Sequence, residues 1–177
     1  MSMLLIACGK TTDAPAEPIQ SDAAEARPGE FPDGQPYAEY RANGFSMRYP
    51  DWPHAGTGSV PSPDETMEIA VENSGCIFML NILPIPEGET FEEFTRSRLK
   101  AQKSAVSGLE ILESDITPER ALVDAEVATQ FATIRSVSYV FPVGGNSYGL
   151  GFVAISQLFD FVCRPSMEAT VASVQIN

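Results

Sequence analysis

From Tyr37 onward, large apolar and polar residues alternate in short runs, the period of strands with one buried face. Tyr37–Arg41 and Gly44–Pro50 both show it, and Asn43-Gly44 between them is a tight-turn signal. Asp51–Asp64 is rich in Pro and Gly and reads as loop. Met67–Glu72 alternates again, and Cys76–Leu83 is almost continuously apolar, which predicts a strand covered on both faces.

The pattern then changes period. Thr90 is a natural N-cap, and Glu93 three residues on completes a capping box. Phe91, Phe94, Leu99, Gln102 and Val106 mark one face of the predicted helix, with Glu92, Arg96, Lys100 and Lys103 on the other; Gly108 is placed to end it. Strands are predicted at Leu109–Thr117, Ala125–Ile134, Arg135–Pro142 and Ser147–Ile155, with a hairpin turn at Val143–Asn146. Leu158–Cys163 reads equally as loop or short helix. A second main helix starts at Pro165, with Met167, Val171 and Val174 inside. Helices segregated on an antiparallel sheet define an α+β class.

Ahead of this domain, residues 9–36 hold five prolines, several alanines and unperiodic acids. Such a segment buries too little apolar surface to offset chain entropy, so it is predicted to be a solvated tether. The expected organisation is an opening segment at 1–8, the tether at 9–36 and one globular domain at 37–177. Leu5-Ile6-Ala7-Cys8 resembles a lipobox, the site where prokaryotic lipoproteins are lipidated and cleaved. Ala7 is the small residue needed before the modified cysteine, and Leu5 supplies the upstream apolar contact. Only seven residues precede Cys8 and none is basic, so the segment reads as a truncated signal. Lipid on Cys8 would hold the domain at a membrane.

Composition narrows the classes. A net charge of −13 without clustered Lys and Arg argues against nucleic acid as a partner. No stretch approaches the roughly 20 apolar residues of a membrane span. If Cys8 carries lipid, Cys76 and Cys163 remain as an even pair in an oxidising compartment. Either they form a disulfide across about ninety residues or they are two separate buried thiols.

The domain resembles the PsbP-like superfamily, which holds the PsbP extrinsic protein and a Ran-binding nuclear import factor. The residues that carry the likeness are Gly44–Trp52, Thr90–Phe94, Arg135–Phe141 with Asn146–Ala154, and the closing Val171–Ile176. The resemblance implies an α/β/α sandwich with two main helices around a central antiparallel sheet, a closing helix followed by a short strand, and a non-catalytic binding or assembly role. No partner-binding residue of the family is carried over.

Candidate chemistry is sparse. His54 is the sole histidine. With Asp51 and Asp64 it could act as base or ligand, but no second His or Cys stands at metal-ligand spacing, and solvent exposure is the simpler reading. Trp52 reads as a core plug, or else as an exposed platform. Neither cysteine nor any serine has a base other than His54. Glu92/Glu93, Glu110/Glu113 and Asp124/Glu126 read as solvated faces or turns, and a weakly held divalent cation would rest on such carboxylates. Gly144-Gly145 fits a hairpin better than a phosphate cradle.

The expected function is therefore a lipid-anchored extracytoplasmic binding or assembly module in the cell envelope, without catalysis, resident metal or cofactor, and with a protein partner not named by the sequence. The alternatives are an envelope hydrolase using carboxylates in a cleft, and a cytosolic partner-binding domain without lipid. A deep pocket holding two converging carboxylates or His54 would favour the hydrolase.

Overall fold

The computed structural model describes residue 31 and residues 34–54 and 66–177. Cys8 and most of the predicted tether lie outside the described residues. The strands are β1 (Tyr37–Ala42), β2 (Phe45–Pro50), β3 (Thr66–Asn73), β4 (Cys76–Pro84), β5 (Leu109–Ile116), β6 (Ala121–Ala128), β7 (Thr133–Val143), β8 (Asn146–Ile155) and β9 (Gln175–Ile176). The helices are α1 (Phe91–Ala105), α2 (Phe159–Val162) and α3 (Arg164–Ala172). The fold is mixed α/β, with antiparallel sheets and three helices.

Six strands form one sheet in the order β3-β4-β8-β7-β6-β5, and β1-β2-β9 form a second, smaller one. The separate small sheet was not expected from the pattern. It arises because the closing strand β9 pairs with β2, Phe45 opposite Ile176, rather than with the large sheet. Asn43 and Gly44 both take positive φ (51° and 81°), as a two-residue hairpin loop requires. At Gly44 a Cβ would also meet the Asn177 carbonyl oxygen at 3.0 Å, so glycine is needed twice over.

Between the two sheets lies the aromatic core. Phe45, Phe78, Leu80, Tyr148, Leu150, Phe152 and Phe159 are essentially inaccessible to solvent. Phe45 stacks on Tyr148 at 4.5 Å between ring centroids, and Phe78 meets Phe152 at 4.9 Å. Each such side chain contributes roughly 1.5–3 kcal/mol by leaving water. Trp52 is also in this core, 8% exposed. Cys76 on β4 is disulfide-bonded to Cys163, which joins α2 to α3, with Cα atoms 5.3 Å apart. That bond fastens the helical C-terminal segment to the start of β4, one strand in from the edge of the large sheet. α3 lies beside β2, where the Arg48 amide donates to Ser173 Oγ at 2.8 Å.

One predicted strand was misplaced. A strand over Ala125–Ile134 was expected, yet β6 runs Ala121–Ala128 and the chain turns at residues 129–132. The turn has neither Gly nor Asn to announce it. Thr129 Oγ1 closes it instead, donating to the Ala132 carbonyl at 2.7 Å and accepting from the Phe131 and Ala132 amides. Thr117 closes the preceding β5–β6 turn in the same way against Arg120. A threonine hydroxyl replaces the backbone freedom of glycine in both hairpins.

α1 begins as its sequence requires. The Glu93 amide donates to Thr90 Oγ1 at 3.2 Å, and the Thr90 amide donates to Glu93 Oε2 at 3.0 Å. The helix starts at the end of the sheet where β4 finishes and stops where β5 begins. It therefore runs along the face of the large sheet opposite the aromatic core.

Candidate functional site

That second face is built of unusually small residues. Because strand side chains alternate, β8 sends Tyr148, Leu150 and Phe152 into the core and presents Ser147, Gly149 and Gly151 on the other side. β7 does likewise, with Val137 and Phe141 inward and Ser136 and Ser138 outward. Pairing aligns these positions in rows: Asn81, Gly149 and Val140 in one, Met79, Gly151 and Ser138 in the next. The row beyond holds Val153 and Ser136, and Ile134 with Val127 and Leu109 follow.

The small floor does not reach the underside of α1, and a cavity of about 380 Å³ remains between them. Phe94, Leu99 and Val106 form its roof. Val106, just beyond the last turn of α1, is itself 41% exposed. Interiors normally pack without voids of this size. Binding sites for small molecules occupy just this range of roughly 300–1,000 Å³ with largely apolar walls.

Two buried polar atoms in the lining lack a hydrogen-bond partner, Thr95 Oγ1 and Asn81 Oδ1. Thr95 is only 8% exposed. A buried helical threonine ordinarily bonds the carbonyl one turn back, and this one does not. Each unpartnered group costs about 1–3 kcal/mol. The cavity is thus mostly apolar; Arg98, Gln102, Glu126 and three serines also line it, and the unpartnered Thr95 and Asn81 oxygens are groups a bound molecule could satisfy.

The residues singled out in the sequence lie elsewhere. His54 is exposed and forms an isolated bridge to Val71 beside β3; Asp51 is exposed and Asp64 lies outside the described residues. Glu92 pairs with Arg96 at 3.8 Å, Glu93 caps α1, and Glu110 and Glu113 are exposed on β5. Asp124 takes a bidentate pair from Arg135, Nε to Oδ1 at 3.0 Å and Nη2 to Oδ2 at 2.7 Å. This hydrogen bonding holds the guanidinium above its ordinary value. Glu126 borders the cavity, but its carboxylate accepts from Ser156 Oγ. No two free carboxylates converge in the cavity. Among the described residues there is no cluster of three or more His, Cys, Asp or Glu suited to a metal, and no helix long and apolar enough to cross a membrane.

The sequence reading missed Thr95, Asn81 and the glycine-serine floor. The signal was present in Ser147–Phe152, where small and large residues strictly alternate, and again in Arg135–Phe141. Alone, that alternation specifies strand faces and not a depression.

No protein-family model and no curated protein matches the chain. Among solved structures, cyanobacterial PsbP from Synechocystis sp. PCC 6803 superposes with a TM-score of 0.58 at 11% identity, covering 91% of this chain and all of that one. A protein of unknown function from Pseudomonas aeruginosa aligns at a TM-score of 0.43 and 10% identity, over 70% of this chain and 85% of that one. The second likeness is too weak to argue from. The first shows the architecture: this is a domain of PsbP-like fold, and at 11% identity the likeness speaks of fold alone.

Proposed function

We propose that this protein is a non-catalytic binding module of the cell envelope, anchored through lipid on Cys8, whose ligand sits beneath α1. We read its layers as an α/β/α sandwich, with α1 on one face of the large sheet and α2 and α3 on the other. The observation that carries the reading is the 380 Å³ apolar cavity with an unpartnered, buried Thr95 hydroxyl in its wall. Nothing in that lining supplies a nucleophile with a base, or the two carboxylates a glycoside hydrolase needs. The Cys76–Cys163 bond and the acidic net charge suit a domain working in solution just outside a membrane.

Two measurements test this. An environment-sensitive apolar dye should bind wild type and be lost in Gly149→Val/Gly151→Val. Neither glycine has a positive φ, and a Cβ there meets other atoms only at 3.7–3.8 Å, so the substitutions fill space without straining the backbone. Equal dye binding by both forms would overturn the ligand seat. Anchoring is tested by fractionation in the native host: wild type should sediment with membranes and Cys8→Ala should not. Equal recovery of the two in the soluble fraction would sink the lipid anchor.

A further inference from the structure

We infer that the cavity takes a neutral, single-chain amphiphile, with a hydroxyl or amide head at Asn81 and Thr95 and an aliphatic tail running toward Leu109, Val127 and Ile134. This rests on the cavity being a ligand seat, and adds the chemistry and the orientation of the occupant.

Orientation follows from connectivity. α1 starts beside the end of β4, so Thr95, in its second turn, belongs to the end of the cavity that holds Asn81, Leu83 and Ser147. Val106, after its last turn, belongs to the end where β5 begins at Leu109. The two unpartnered polar atoms therefore share one end. At the other end Leu109, Val127 and Ile134 stand in one row of paired strands and offer only hydrocarbon. From the Val140 row to the Ile134 row is six residues along β7, about 20 Å at roughly 3.3 Å per residue. A head-to-tail polarity is built into the walls.

Size sets the number of chains. A cavity of about 380 Å³ lies at the small end of the roughly 300–1,000 Å³ range of ligand sites. That size suits one medium-length chain better than the two chains of a phospholipid.

Head chemistry follows from the acceptors. Asn81 Oδ1 is a carbonyl oxygen and needs a hydrogen from the ligand. A carboxylate or phosphate would set acceptor against acceptor at Asn81; Arg98, one turn beyond Thr95 in the lining, already has an interaction of its own within the protein. A hydroxyl can donate to Asn81 and exchange a bond with Thr95; an amide N–H can serve Asn81 as well.

The test uses the full chain and three probes: 1-monodecanoylglycerol, decanoate at pH 8 and decyltrimethylammonium, each competing with the apolar dye. The glycerol ester should displace dye at concentrations about tenfold below the other two. Thr95→Val should weaken the ester about three- to tenfold while leaving decanoate unchanged. Because that variant removes an unpartnered hydroxyl, it should raise Tm, so weaker binding cannot come from a damaged fold. Asn81→Leu should act in the same direction. Decanoate competing as well as the ester, or Thr95→Val leaving the ester untouched, overturns the head assignment while dye binding keeps the seat. If no dye or probe binds wild type, the ligand seat itself fails and the amphiphile with it.

Discussion

Removing the Cys76–Cys163 bond should cost this domain a large part of its stability, and the loss should show a particular pattern. The cysteines are separated by 87 residues. In the chain-entropy treatment a loop of that length takes about 15 cal/mol/K from the unfolded chain, or about 4.6 kcal/mol at 25 °C. Both sulfurs are in the core, with the two residues 0% exposed, so each truncation to Ala adds roughly 1 kcal/mol of lost packing. Cys76→Ala and Cys163→Ala should thus each lose between about 5 and 6 kcal/mol, and the double variant only about 1 kcal/mol more. Spread over roughly 140 ordered residues, at about 2.1 cal/mol/K of unfolding entropy per residue, the cross-link is worth about 15 °C in Tm. Urea unfolding of the four proteins measures this, and the m-value should rise when the bond is gone because the unfolded chain expands. Single-variant losses that simply add, or a double variant losing under about 2 kcal/mol, would refute the reasoning. Either result would mean that the loop is not closed in the folded protein.

Other parts of the molecule make smaller commitments. Asp124→Asn leaves Arg135 with Asp160 at 3.6 Å as its nearest remaining acid, and should cost about 2 kcal/mol by denaturant titration; because Arg135 is one-fifth exposed, this falls below the 3–5 kcal/mol of a fully buried pair. Thr90→Ala should cost roughly 1 kcal/mol through the lost cap, read by the same titration. The Thr90 backbone and side chain hold the Glu93 carboxyl below its ordinary 4.5, so its contribution is complete above that pH and is lost as pH falls through the lower folded value. Wild type should consequently lose Tm more steeply on acidification below pH 4.5 than Glu93→Gln. Burial raises the Tyr139 hydroxyl above 10.0, so stability from keeping it neutral is present below pH 10 and declines as pH rises through the higher folded value; Tyr139→Phe should flatten that alkaline loss of Tm.

Much of the architecture was legible because its signals are local. Thr90 and Glu93 announce α1 within four residues, Asn43-Gly44 and Gly144-Gly145 announce two hairpins, and strict alternation places Phe45 on the buried face of β2 and Tyr148 and Phe152 on that of β8. The strand expected to end at Thr117 ends beside it, at Ile116, but at Thr129, where a threonine hydroxyl closes the turn, composition gave no warning, and β6 was displaced accordingly. The second sheet was hidden for another reason: β9 is two residues long, and its partner β2 lies more than a hundred residues away.

By itself the sequence determined the period of each segment, the caps and glycine turns, and the antiparallel class, because each depends on residues a few positions apart. It also supplied Cys8 and the tether as a reading of place. Only the tertiary structure decided which faces meet. Serine and glycine at 136, 138, 149 and 151 are unremarkable strand residues until β7 and β8 pair in register and α1 spans them. The cavity then exists because backbone pairing fixes the sheet while its serines and glycines leave the space beneath Phe94 and Leu99 unfilled. A void is a property of what several distant segments fail to fill, and no single stretch of chain encodes it.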